Sequence, residues 1–171
     1  METKWFDRKF DFSFGPDKYD AIYQRLQQAP DRARHIITGI PDDVLEHKPA
    51  GQWSVKEQIG HLSVLEPVWR IRFQDIREKK PVLTPADLTN RATSEAGFNG
   101  YTIDALLEKF VEERAATLQL LKGIDVRDES RTSLHPRLQQ PMRAIDLALF
   151  IAEHDDHHIS AVGELISAFP G

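Results

Sequence analysis

Trp53-Ser54-Val55-Lys56-Glu57-Gln58-Ile59-Gly60-His61-Leu62 carries the clearest helix start in the chain. Ser54 and Glu57 have the S-x-x-E form, in which the serine hydroxyl accepts from the third helical amide and the glutamate reaches back to the cap amide. Beyond this cap, Gln58, His61, Leu62, Leu65, Trp69, Phe73 and Ile76 recur at helical intervals. The spacing predicts an amphipathic helix over 54–79, a rod of roughly 39 Å with Pro67 as a kink. A histidine therefore stands on a stripe that should be buried.

Three further segments share this periodicity. Residues 17–38 place Tyr19, Ile22, Leu26, Ala29, Ala33, Ile36 and Ile37 on one side, with Pro30 expected to kink or split the helix and Gly39 to stop it. A short helical turn is expected at 41–47. Residues 102–121 carry Ile103, Leu107, Phe110, Val111, Leu118 and Leu121, and 141–169 carry Ile145, Leu149, Ile151, Ile159, Val162, Leu165 and Ile166. The stretches 80–101 and 125–141 are polar and contain proline, so they read as long connections, the first with a short helix near 85–88. With no convincing sheet and no fixed repeat, the fold class is all-α, a four-helix bundle in which either long connection can carry the chain back along the body. Ahead of the bundle, Lys9-Phe10-Asp11-Phe12-Ser13-Phe14 alternates with period two. This predicts an extended N-terminal arm whose phenylalanines pack on the body or on a second subunit. The organisation is one domain over 1–171, with the arm at 1–15 and the bundle at 16–170.

Composition narrows the chemistry. Among 171 residues there is no cysteine, which excludes disulfides, thiolate metal sites and a cysteine nucleophile. Any metal must sit on His, Asp or Glu. The 22 Lys plus Arg against 27 Asp plus Glu leave a formal net charge of -5, which disfavours nucleic-acid binding driven by bulk electrostatics. The longest apolar run, 147–152, falls far short of the roughly 20 residues that span a membrane. No signal-peptide core follows Met1, so a cytoplasmic location and no membrane partner are expected.

Among seven histidines, His61, His154 and His158 sit where helices should be apolar. His154 and His158 are four apart, about 40° around the axis and 6 Å along it. Their line continues that of Leu147, Ile151, Ala161 and Leu165, so all three rings should face the interior. Each read singly is an ordinary hydrogen-bonded core histidine. Read together, they can share a divalent cation, which relieves the cost of burying unpaired imidazoles and leaves coordination positions open, as catalytic sites do. His157, one residue from His158, belongs on the flank. Asp155 and Asp156 either orient a ligand ring or lie on a solvated face. Glu57 is explained by its cap, though it lies one turn before His61. His35, His47 and His135 read as surface or loop residues, and Arg72 as a side chain that snorkels over the helix surface rather than one that holds an anion.

The W-S-x-x-E-x-x-x-H element at 53–61, followed about ninety residues later by H-x-x-x-H at 154–158, resembles the DinB/YfiT-like family of bacterial metal-binding four-helix bundles. The resemblance covers nearly the whole chain. It implies an up-down-down-up bundle, His61, His154 and His158 as metal ligands, and a homodimer. It also implies a low-molecular-weight thiol as cosubstrate, since relatives include bacillithiol- and mycothiol-dependent S-transferases and a mycothiol-dependent maleylpyruvate isomerase. With no cysteine in the chain, such a sulfur nucleophile must come from a small molecule. The expected function is thus transfer of a thiol to a small electrophile at a three-histidine site. The alternatives are hydrolysis of a small substrate, or a non-catalytic stress-associated metal-binding and dimerisation module. Imidazole suits zinc, nickel and iron, so the metal is not specified.

Overall fold

The Ser54 cap forms in the computed structural model, which describes residues 5–170. The first four residues of the expected arm lie outside them. Ser54 Oγ accepts from the Glu57 amide at 3.1 Å, and Glu57 Oε2 accepts from the Ser54 amide at 2.8 Å. In chain order the α-helices among the described residues are α1 (Tyr19–Ile37), α2 (Asp42–Glu46), α3 (Val55–Arg77), α4 (Arg91–Glu95), α5 (Ile103–Lys122) and α6 (Ala144–Ser167). Within the second long connection, strands β1 (Ser133–Leu134) and β2 (Pro141–Met142) pair antiparallel, a small ribbon that periodicity could not reveal in two-residue strands.

α1 packs on α5 and α6, and α3 on the same two helices, so the four long helices form a square bundle. Their directions follow from the side chains that meet. Gln58 of α3 touches His158 of α6 while Trp69 meets Phe150, so α3 and α6 are antiparallel. Ser54 bonds Asn99 just ahead of α5, while Arg70 reaches Glu113 and Thr117, so α3 and α5 run parallel. Arg25 reaches Glu153 and Gly163 faces Ile36, so α1 and α6 also run parallel. The order is up-down-down-up. Two parallel neighbours adjacent in sequence require the chain to return the length of the bundle, and residues 78–102 do so.

That return lies close against α3. A Cβ on Gly60 would stand 2.5 Å from the Phe98 ring, so only glycine lets the two approach this closely. The short helix of this connection falls at Arg91–Glu95 instead of 85–88. The Asp87 carboxylate accepts from Thr89 N, Thr89 Oγ1 and Arg91 N, which holds a turn there and moves the helix beyond Asn90.

α1 is not split by Pro30. Proline lacks the amide that would bond the Leu26 carbonyl one turn earlier, and Arg114 of α5 fills the gap with an Nη1–Leu26 O bond of 2.8 Å. The same guanidinium meets Glu66 of α3 at 2.6 Å and Asp155 of α6 at 2.7 Å. Thr117 donates to the other Glu66 oxygen. One buried arginine thus touches all four long helices. This polar layer divides the apolar interior: Leu26, Phe73, Leu121 and Phe150 lie in one part, and Leu62, Leu107, Phe110 and Ile159 in the other. Val111, expected inside, is exposed, because the buried stripe of α5 runs through Leu107, Phe110, Arg114, Thr117 and Leu121.

The arm keeps its period of two without pairing as a strand. Phe10, Phe12 and Phe14 are half-buried against the first apolar cluster, while Lys9, Asp11 and Ser13 are exposed. Arg143 takes the carbonyls of Phe12 and Phe14, each at 3.0 Å, supplying donors that a neighbouring strand would otherwise provide. Trp5–Asp7 forms a tight helical turn before this stretch.

Candidate metal centre

Antiparallel α3 and α6 bring His61, His154 and His158 to one level, all of them buried. Their ring centroids lie 4.4 to 5.3 Å apart, and one nitrogen of each lies within 4.8 Å of the others. Two of the rings are oriented from behind. His158 Nδ1 lies 2.6 Å from Gln58 Oε1, an acceptor, so the proton sits on Nδ1 and Nε2 keeps its lone pair. His61 Nδ1 lies 2.8 Å from Thr93 Oγ1, leaving its Nε2 for the centre. His154 Nε2 stands 3.1 Å from His158 Nε2. Two lone pairs cannot face each other at that distance, so either a proton on His154 Nε2 or a shared cation must lie between them. The separation is close to the about 3.4 Å expected for two nitrogens on a tetrahedral site with 2.0–2.1 Å bonds. His154 Nδ1 is buried and has no hydrogen-bond partner among the described residues.

Burial first, and neighbouring histidines second, push all three imidazoles down, His61 to about 4 and the other two well below their usual range. They are neutral near pH 7, the form in which a histidine ligates. Aromatic rings pack around them: Trp53 lies 4.7 Å from His61, and Trp5 and Trp69 lie 5.1 and 5.6 Å from His154.

The other candidates separate. His157 stacks on Trp5 at 5.6 Å, on the flank as expected. Neither aspartate orients a ligand ring. Asp155 is buried on Arg114, not solvated, and Asp156 pairs with Arg25 and Arg32. Glu57 is occupied by its cap and by Lys48 at 2.7 Å. The supporting contacts come instead from Gln58, visible in the sequence as a polar residue on the buried stripe, and from Thr93, which lies in a connection with no periodicity to mark it.

His35 is exposed and His47 half-buried against Phe169. His135 and Arg72 depart from expectation, since both are buried and border the same cavity as the three histidines. The ribbon of β1 and β2 turns His135 inward, and Arg72 is held by the Thr84 carbonyl at 2.8 Å instead of reaching solvent. The cavity holds about 410 Å³ and is walled largely by Trp5, Trp53, Trp69 and Phe150.

The sequence profile of the DinB superfamily matches residues 25–162. The chain belongs to the DinB superfamily. All three clustered histidines of this DinB-superfamily chain fall inside the matched region, and the aromatic arm precedes it. No curated protein matches the chain. Among solved structures it is similar to YfiT from Bacillus subtilis, described as a probable metal-dependent hydrolase with an unusual four-helix bundle topology. The TM-score is 0.75 at 23% identity, over 92% of this chain and 91% of that one. The likeness concerns the fold. Among the described residues, no helix is long and apolar enough to cross a membrane.

Proposed function

We propose that this chain is a metal-dependent enzyme in which His61, His154 and His158 hold a divalent cation (zinc, nickel or iron), and that it transfers a low-molecular-weight thiol to a small electrophile. The observation that carries the metal reading is the convergence of three neutral, buried imidazoles, two of them oriented by Gln58 and Thr93, on the wall of a cavity. A cation bound there would ease ionisation of a nucleophile and polarise an electrophile. The aromatic walls give an apolar reactant a surface to rest on. Among the described residues bordering the cavity, the one carboxylate is Asp87, engaged by Thr89 and Arg91. No free carboxylate stands ready to take a proton, which favours a nucleophile that ionises readily. A thiol, with a free pKa of about 8.5, needs less help than water at about 15.7. Hydrolysis is the second reading, favoured by the description given to YfiT.

The test uses protein purified without a histidine tag and loaded separately with zinc, nickel or ferrous iron. With bacillithiol or mycothiol, consumption of a chloroaryl or epoxide probe should exceed the uncatalysed rate and fall to it in the stripped protein. Turnover of ester or amide probes without thiol would assign hydrolysis instead. Silence in both assays would reject an enzymatic role for the probes tried.

The outer contacts make a separate prediction. Thr93→Val and Gln58→Leu keep the side-chain size nearly unchanged but release one ring each. Each should weaken metal affinity by about 10- to 100-fold in a chelator competition, with the helical circular dichroism unchanged. Affinity unchanged in both would show that these contacts do not position the ligands.

A further inference from the structure

We infer that the cavity wall formed by Arg72, His135 and Arg137 binds the carboxylate of a small organic acid with an apolar body, which names the substrate class of the proposed enzyme and rests on that reading only for the reaction that follows. The argument begins with hydrogen-bond donors that lack acceptors. His135 Nδ1 accepts from the amides of Arg137 and Leu138 at 3.2 and 3.1 Å, so the one proton of the neutral ring sits on Nε2. Yet Nε2 lies 3.2 Å from Arg72 Nη1, which is also a donor. Two N–H groups side by side do not bond each other. They converge on the place where one acceptor oxygen would satisfy both.

Arg137 completes the set. Its Nη1 donates to the Phe6 carbonyl at 3.1 Å, while its Nη2 is buried with no partner among the described residues. Burying a guanidinium is expensive unless an anion or aromatic faces offset the cost. Arg72 is buried beside Trp69 and Arg137 half-buried beside Trp5, Phe6 and Phe150, rings that accept none of their N–H donors in the plane where an anion would. Elsewhere the chain obeys this rule, with Arg114 between two carboxylates and Arg25 and Arg143 each paired with carboxylates. Among the described residues, neither Arg72 nor Arg137 has a carboxylate within ion-pair distance. The acid whose charge acts on Arg72, Asp75, is itself taken by Lys80 and the Thr84 amide, each at 2.7 Å. Burial lowers both arginines, Arg72 to about 10, and their own repulsion adds to the fall for Arg72. A bound anion removes that repulsion.

The distance to the histidines suits a small molecule. One indole separates the two ends: Trp69 lies 5.3 Å from the Arg72 guanidinium carbon and 5.6 Å from the His154 ring. Trp5 similarly lies 6.0 Å from that of Arg137 and 5.1 Å from His154. An acid anchored at the arginines would lay its apolar body along these rings and present its far end to the histidines.

The experiment titrates phenylacetate and its neutral isostere phenylacetamide into the full chain, both zinc-loaded and stripped, by calorimetry. The acid should bind at least about tenfold more tightly than the amide in both forms, as charge-assisted hydrogen bonds require. Arg137→Gln should erase that preference and Arg137→Lys keep part of it. Arg72→Gln should act likewise, and if it fails to fold, the half-exposed Arg137 pair decides. Equal binding of acid and amide, no binding of the acid, or a preference that survives Arg137→Gln would overturn the inference. A preference confined to the zinc-loaded form would place the carboxylate on the metal and overturn it too. Should the histidines bind no metal, the preference in the stripped protein would stand, so the two readings fail separately.

Discussion

Replacing His158 by alanine is expected to abolish stable metal binding and the stabilisation that accompanies it. With a cation at about 1,000 times its dissociation constant, the folded state gains about 4 kcal/mol, visible as a rise in thermal midpoint when metal is added. His158→Ala leaves two imidazoles, and His154 loses the neighbour 3.1 Å away that defines the pair. The loss of affinity should exceed the hundredfold limit for an outer contact such as Thr93. In the stripped protein the same substitution removes one ring from an aromatic cluster, a much smaller change. The result that decides is therefore the difference between variants in their response to metal, read by calorimetry with and without zinc. A midpoint that rises equally in both proteins would remove His158 from the ligand set.

The second large effect belongs to Arg114. Arg114→Met should destabilise the protein by about 3–5 kcal/mol or prevent folding, because it strands two carboxylates in the interior. Burial already pushes Asp155 up to about 6 against the pull of Arg114. The arginine itself is held far above its usual value, since the charges of Asp155 and Glu66 outweigh burial. Two acids share one cation there, and the charges of Glu66 and Asp156 add to the burial that raises Asp155. Removing all three charges together, as Arg114→Met with Glu66→Gln and Asp155→Asn, should recover most of the loss. Urea unfolding of the single and triple variants measures this. If the triple variant is no more stable than the single one, the cost comes from the lost Leu26 carbonyl bond and packing, not from stranded charge.

Sequence legibility followed the range of the interaction. The Ser54 cap and the histidine spacing act within a helix turn, so they could be read directly, and the helical stripes placed His61, His154 and His158 on inward faces. The arm alternation was equally plain, although Arg143 satisfies its carbonyls in place of a strand. Arg114 stood on the stripe after Leu107 and Phe110, but a lone arginine there does not announce its two acids on other helices. Pro30 signalled a break that a distant guanidinium compensates. His135 and Arg72 are buried against the sequence expectation because their placement depends on a two-residue ribbon and on the Thr84 carbonyl, contacts made across the fold and written in no local pattern.

The crossing segment at 78–102 has one more implication. It supplies Thr93 behind His61, while the irregular stretch around His135 supplies the far end of the chamber, whereas the three imidazoles ride on rods that run through the body. His135 and Arg137 thus lie on a piece of chain apart from the three imidazoles, whereas Arg72 shares α3 with His61. Drift or insertion around His135 can reshape that end while the spacing of His61, His154 and His158 stays fixed by α3 and α6. Grafting the stretch around His135 between relatives should accordingly shift selectivity without rebuilding the scaffold.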